Sequence, residues 1–194
     1  MKKKLLIIGL IFTFGCEKEQ ITIEDDKLTD QRDGKIYETV EIGGQVWMAE
    51  NLAYYTGVGS RAYDGDFNNI GIYGYLYDYE TAQNVCPDGW SLPTHNDFKQ
   101  LVNFVEDRAG DLKTTTLWNE PNTGANNMTG FSGKPAGVGF DGFFRHLGYH
   151  TAYWSRDELD ENYGYMMLLA YNRSNIILNT TDKNFGISVR CIKN

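Results

Sequence analysis

The chain has 194 residues and a formal net charge of −8, with 21 glycines, 14% aromatic and 23% charged residues. An apolar share of 41% is too high for a disordered polyelectrolyte, and the length suits one domain with a sizeable core. Abundant Gly with abundant Tyr excludes a collagen-like chain and points to short strands, tight turns and long ordered loops rather than a helical bundle.

Lys2, Lys3 and Lys4 precede an apolar run over residues 5–14, followed by Gly15 and Cys16. A basic start, a short apolar stretch and a small residue before the cut describe a secretory signal peptide over residues 1–15. The run is half the ~20 residues of a membrane-spanning helix. Thr13-Phe14-Gly15-Cys16 resembles a bacterial lipobox, although an aliphatic residue is more usual where Thr13 stands. The resemblance implies that Cys16 becomes the lipid-modified first residue of the mature protein and its partner is the membrane, each buried CH₂ contributing ~0.8 kcal/mol. An ordinary secretory signal that leaves Cys16 unmodified is the other reading. Loss of residues 1–15 removes three lysines and no acid, so the charge moves from −8 to −11. So acidic a chain repels phosphates, which sets nucleic acid aside as a partner. Residues 16–32 are dense in charge and lack aromatics, so they read as a flexible tether. Cys16-Glu17-Lys18-Glu19 resembles the acidic segment behind the lipid cysteine in surface-exposed lipoproteins of Bacteroidetes-type bacteria. The expected location is the cell envelope, at the outer membrane, with the periplasmic and surface faces both open, and the expected state is a monomer.

The domain is read as residues 33–194. Residues 35–42 alternate and carry β-branched side chains like a half-buried strand, Gly43-Gly44 is a two-residue turn, and residues 45–48 return to close a hairpin. Residues 64–74, rich in Gly, Asp and Asn, read as loop, and residues 79–85 as a short helix stopped by Pro87-Asp88-Gly89. Thr94 is an N-cap for a second helix to about Asp107, with Phe98, Leu101, Val102 and Val105 on one face. Residues 119–139 read as a long irregular loop. Only strand signals follow: 139–140, an Asp141-Gly142 turn, 143–147, 152–155, 163–171, 176–179 and 185–192. Two early helices beside a late run of antiparallel strands define an α+β domain. If Cys16 carries lipid, Cys86 and Cys191 are left to form a bridge, to stay as two free thiols or to hold a metal.

Blocks along the domain resemble a known family. Asp33-Gly34-Lys35-Ile36-Tyr37 and Ile42-Gly43-Gly44-Gln45-Val46-Trp47-Met48-Ala49-Glu50-Asn51-Leu52 look like the opening of the Fibrobacter succinogenes major paralogous domain. Gly74-Tyr75-Leu76-Tyr77, Cys86-Pro87-Asp88-Gly89-Trp90-Ser91-Leu92-Pro93-Thr94, Thr129-Gly130-Phe131-Ser132, Tyr153-Trp154-Ser155 and Gly186-Ile187-Ser188-Val189-Arg190-Cys191 continue it in order. The resemblance implies a C-type-lectin-like fold, related to formylglycine-generating-type domains, on secreted or lipid-anchored bacterial proteins. It also implies a Cys86–Cys191 bridge tying the helical half to the end of the sheet. It implies little about activity. Trp47, Trp90 and Phe131 read as core anchors, and Gly89 and Gly130 as turn positions.

Glu120-Pro121-Asn122 lies in the long loop, where a C-type lectin places its calcium and sugar site, but the companion Trp-Asn-Asp block is absent and one tripeptide cannot supply six to eight oxygens. Asp64, Asp66 and Asn68 alternate as calcium ligands do, yet Tyr75 stands where an EF-hand needs Glu. No cofactor is expected, and calcium is the one ion these loops suggest. His146 and His150 are four apart in strand sequence, without the intervening Glu of a zinc protease. Asp157, Glu158, Asp160 and Glu161 follow the aromatic Tyr153-Trp154 and could serve a glycosidase or a charged turn. The expected function is a non-enzymatic binding or structural module for glycan or protein, with Tyr149, Tyr153 and Trp154 as an aromatic surface and Glu120 and Asn122 beside it. The alternatives are a carboxylate-based glycan hydrolase and a formylglycine-generating-like oxidoreductase.

Overall fold

Alternation and turn chemistry build the first hairpin, as its sequence predicts. In the computed structural model, which describes residues 27–194, β2 (Ile36–Ile42) pairs antiparallel with β3 (Gln45–Met48) across Gly43-Gly44. The segments read as signal peptide and tether up to residue 26, with the Cys16 expected to carry lipid, lie outside the described residues. The tether ends earlier than its composition suggests: β1 (Lys27–Thr29) pairs with β2 and buries Leu28. Asp30, fully buried, then accepts both Nε and Nη2 of Arg32, whose guanidinium lies 3.8 Å from the centre of the Tyr54 ring. Residues 27–32 are therefore part of the domain. A charge-dense segment with one apolar residue becomes a strand because the edge of β2 offers it a partner, a tertiary cause that local composition does not carry.

Further along come β4 (Ser60–Arg61), α1 (Ile70–Tyr73), β5 (Leu76–Tyr77), α2 (Tyr79–Ala82), β6 (Trp90–Ser91) and α3 (His95–Phe104). Residues 64–74 are not plain loop: they hold two 3₁₀ turns and α1, the second turn capped by the Asp66 side chain. The α3 start is the strongest local signal in the chain. Thr94 and Asp97 cap each other reciprocally, and Phe98 and Leu101 face the core. The late strands are β7 (Ala136–Phe140), β8 (Phe143–Leu147), β9 (His150–Glu158), β10 (Tyr163–Ala170), β11 (Ile177–Asp182), β12 (Ile187–Ser188) and β13 (Ile192–Lys193). One sheet runs β1-β2-β3-β13-β6; the other runs β11-β10-β9-β12-β5-β4, with β7 beside β9 and β8 beside β7. The pairing is mainly antiparallel, but β12 and β7 each meet β9 in parallel. The result is a mostly β domain, and the first helix expected from the sequence is a single turn.

The second sheet separates two apolar clusters. Ala152, Trp154 and Met166 pack on one side with Tyr37, Leu52 and Tyr77; Tyr153, Met167 and Leu169 pack on the other with Trp47, Phe98 and Phe131. Consecutive strand residues point to opposite faces, so both faces of β9 are buried. Tyr153 and Trp154 are accordingly 0% exposed, and the Trp154 indole donates to Tyr77 O at 2.8 Å. They are core residues, not the aromatic surface their sequence suggests. Trp47 and Phe131 are fully buried anchors, whereas Trp90 is half-buried. Cys86 and Cys191 form a disulfide with Cα atoms 5.9 Å apart, joining the segment before α3 to the end of the chain. Among the described residues no helix is long and apolar enough to cross a membrane.

The long connection between α3 and β7 is held from inside. Lys113, fully buried, donates from Nζ to Thr123 O at 2.8 Å, Ala170 O at 3.2 Å and Arg173 O at 3.4 Å. Burial pushes its ammonium down to about 8. The folded amine thus binds its proton less tightly than the unfolded one, so the unfolded chain carries more protons between pH 8 and the ordinary lysine range. Lys113 therefore adds a contribution to stability that rises with pH through that window, by about 1–2 kcal/mol between pH 8 and 10. Buried tyrosines such as Tyr37 and Tyr79, whose phenols burial pushes up, act in the opposite sense, so the measurement is the difference between wild type and Lys113→Met. In urea denaturation at pH 7, 8, 9 and 10 it should shift in favour of wild type as the pH rises.

Candidate functional site

Four segments far apart in sequence enclose a cleft of about 450 Å³. The β4–β5 pair brings Arg61; the start of α2 brings Asp78, Tyr79 and Glu80; the β7–β8 turn brings Phe140 and Asp141; the connection from β11 to β12 brings Lys183 and Asn184. Each local arrangement has a cause. Asp78 Oδ1 accepts the Thr81 amide at 2.9 Å and so starts α2. The Asp141-Gly142 turn takes positive φ at both residues, the geometry of a tight hairpin. Gly139 and Gly186 exchange backbone hydrogen bonds at 2.9 and 2.7 Å, which locks the hairpin to the segment after Asn184.

The groups in this cleft divide into committed and free. Tyr79 is buried, its hydroxyl donates to Arg156 O at 2.8 Å, and burial, with Glu158 and Asp157 nearby, pushes its phenol up to about 12. It stays protonated at neutral pH and serves as wall. Lys183 Nζ donates to Glu158 at 2.5 Å, Asp160 O at 2.7 Å and Glu161 O at 3.2 Å, so its three donors serve the β9–β10 turn. The side chains of Arg61, Glu80 and Asp141 make no hydrogen bond or ion pair among the described residues. Phe140 forms a wall shared with an apolar notch of about 190 Å³, lined by Val138, Phe143, Arg145 and Phe185. Its ring packs on Phe185 with centroids 4.8 Å apart. The cleft thus offers a free guanidinium, two free carboxylates and an aromatic face, which suits reversible hydrogen bonding and stacking.

The residues singled out from the sequence fall elsewhere. Tyr149 is exposed and meets Tyr171 edge-on at 5.2 Å, but it does not border the cleft. Glu120 is exposed and precedes a cis proline, whereas the Asn122 Oδ1 is sealed from solvent and its Nδ2 donates to Thr114 O at 3.1 Å. The two oxygens are therefore not presented together. Asp66 Oδ1 is taken up by the backbone and side-chain amides of Asn68, at 2.9 and 2.8 Å, which makes this Asp-Asn pair a turn; Asp64 sits in the 3₁₀ turn before it. Among the described residues no three His, Cys, Asp or Glu side chains gather on one point. The acidic turn is also committed: Asp157 accepts the His95 amide at 2.7 Å, Glu158 pairs with Lys183, and Asp160 accepts the Asn162 and Tyr163 amides. Burial and the neighbouring His146 push the His150 imidazole down to about 4.

These features define a disulfide-clamped, mostly β domain that buries many of its aromatic side chains in two clusters and leaves a polar, aromatic-walled cleft beside its larger sheet. A model of the Fibrobacter succinogenes major domain matches residues 40–193, and the chain belongs to that family. No curated protein and no solved structure matches it.

Proposed function

We propose that the protein is a lipid-anchored binding module of the bacterial outer membrane, held through Cys16, which captures a polar ligand, a glycan in the first instance, without altering it. One observation carries this reading: the free Arg61, Glu80 and Asp141 share a cleft of about 450 Å³ with the Phe140 ring. A sugar presents hydroxyls that such charged groups bind bidentately and a C–H face that lies on an aromatic ring. A C-type-lectin-like α+β fold is supported by the long connection pinned to the core through Lys113 and by the bridge from the segment before α3 to the last strand. The hydrolase alternative loses Asp157, Glu158 and Asp160, which are spent on caps and turns, and would have to rest on Glu80 and Asp141 of the cleft. The oxidoreductase alternative needs thiols that the Cys86–Cys191 bond consumes.

The test is a glycan array probed with the soluble mature chain carrying Cys16→Ser, with and without Ca²⁺. The expected result is binding to a defined glycan set that is independent of Ca²⁺ and is weakened about tenfold or more by Arg61→Ala or Asp141→Ala, the scale of a lost charged hydrogen bond. Release of reducing sugar would establish the hydrolase instead, and binding unaffected by either substitution would remove the cleft from the reading.

A further inference from the structure

The turn from β8 into β9 brings two imidazoles side by side, tilted to each other, without a helix. His146 lies near the end of β8, His150 opens β9, and their ring centroids stand 4.3 Å apart with planes at 50°. Three observations mark the pair. His146 holds φ at 70°, a left-handed conformation that costs a non-glycine residue on the order of 1 kcal/mol, closed by the Tyr149 amide donating to its carbonyl at 3.0 Å. His150 Nδ1 is sealed from solvent and has no hydrogen-bond partner. Neither ring makes a hydrogen bond or ion pair among the described residues. The Asn119 amide closes the site from the side. Its N–H donates to Gly148 O at 2.8 Å, and its side-chain amide lies where a Cβ on Gly148 would meet it at 3.0–3.2 Å.

We propose that His146 and His150 bind one divalent transition-metal ion of the Ni²⁺, Cu²⁺ and Zn²⁺ class, a site distinct from the cleft and independent of the function proposed for it. Neutral imidazole nitrogens are ligands for these borderline ions, whereas Ca²⁺ and Mg²⁺ demand oxygen sets that this turn lacks. The geometry is close to what the ion requires. A metal bonded to one nitrogen of each ring at ~2.1 Å holds the centroids about 5 Å apart, within about 1 Å of their present spacing, and the exposed His146 ring has room to turn a nitrogen toward the ion. With no third His, Cys, Asp or Glu gathered on the pair among the described residues, water fills the remaining positions, and the ion stays exchangeable. The helical i, i+4 pattern of zinc proteases is not involved; a hairpin turn achieves the same juxtaposition from the same spacing.

The chain's three histidines provide an internal control, because His95 packs on Tyr165 far from this turn in the fold. The mature Cys16→Ser chain, free of any affinity tag, is titrated with ZnCl₂, NiCl₂ and CuCl₂ by calorimetry, and the Cu²⁺ complex is examined by electron paramagnetic resonance. One ion per chain is expected, Cu²⁺ the tightest, with hyperfine splitting from two nitrogens. Affinity should fall at least about tenfold in His146→Gln and in His150→Gln, and stay unchanged in His95→Gln. His146 is exposed, so His146→Gln keeps the fold, which circular dichroism verifies. Absence of binding at millimolar metal, or wild-type affinity in His146→Gln with its fold intact, would overturn the proposal.

Discussion

Removing the clamp, by Cys86→Ala together with Cys191→Ala, lowers the stability of the domain by about 4–5 kcal/mol at 25 °C. The bridge spans 105 residues of sequence, and closing a loop of that length in the unfolded chain removes entropy worth about 4.7 kcal/mol. Alanine is the suitable replacement because Cys191 is fully buried against apolar neighbours, where a serine hydroxyl would add a desolvation cost of its own. A domain of this size commonly has a total stability of about 5–15 kcal/mol, so the loss decides whether the variant is folded at 37 °C. The local backbone leaves the damage long-range: Met48 N–H still donates to Cys191 O at 3.0 Å, and β13 still bridges β3 and β6. Guanidinium denaturation of wild type, of the double variant and of wild type with reductant gives the measurement. The last two should share one midpoint, well below the first; a double variant that unfolds with wild type would mean that the unfolded chain is already compact around that pairing.

Elements with a local cause are legible in the sequence, and elements with a tertiary cause are not. The β2–β3 hairpin follows from alternation plus Gly43-Gly44, and α3 from the Thr94–Asp97 capping box. By contrast β9 carries Thr151, Ala152, Tyr153, Trp154 and Ser155 all buried, so the period-two signal that marks a half-buried strand is absent. That absence is itself the clue: an unalternating aromatic run between strand signals belongs between two cores, which is why Tyr153 and Trp154 cannot form a surface. The cleft has no linear signature at all. Arg61, Glu80, Asp141 and Asn184 are unremarkable singly, and only the β4–β5 pairing and the Gly139–Gly186 exchange assemble them. Even the Asp141-Gly142 turn, visible as a turn, gives no hint that its carboxylate faces a cavity.

Asn51→Leu costs about 3–4 kcal/mol, and part of that cost disappears when Arg190→Met is added. Arg190 is fully buried between β12 and β13, and among the described residues no carboxylate forms an ion pair with it, although Glu50 acts on it from further away. Its guanidinium donates to Phe131 O, to Asn51 Oδ1 at 2.5 Å and to Ser132 O at 3.4 Å, and it lies 4.3 Å from the Phe131 ring centre. Burial pushes its pKa down, yet an arginine keeps its proton, so a full charge is held in the core mainly by dipoles and ring faces, with Glu50 as a more distant counter-charge. Asn51 is the one side-chain oxygen on it, and the same amide donates to Tyr73 O at 2.8 Å and Ser188 Oγ at 3.3 Å. Leucine at 51 strips the charge of a side-chain acceptor, a charged hydrogen bond worth about 1.5–3 kcal/mol, and also removes the amide's bonds to Tyr73 O and Ser188 Oγ. Arg190→Met alone leaves Phe131 O and Asn51 Oδ1 unpaired at about 1–3 kcal/mol each, but it also takes the desolvated charge away. The two substitutions therefore share a penalty, and the double variant should be more stable than the sum of the singles by about 1–3 kcal/mol. Urea denaturation of the four proteins at pH 7 reads this directly, and strict additivity would show that the guanidinium is not held through Asn51. The blocks that carry the family resemblance, Asn51, Phe131-Ser132 and Ser188 to Cys191, meet at this one buried node. In this chain those blocks thus serve the core, whereas the Arg61–Asp141 cleft is framed by residues outside them.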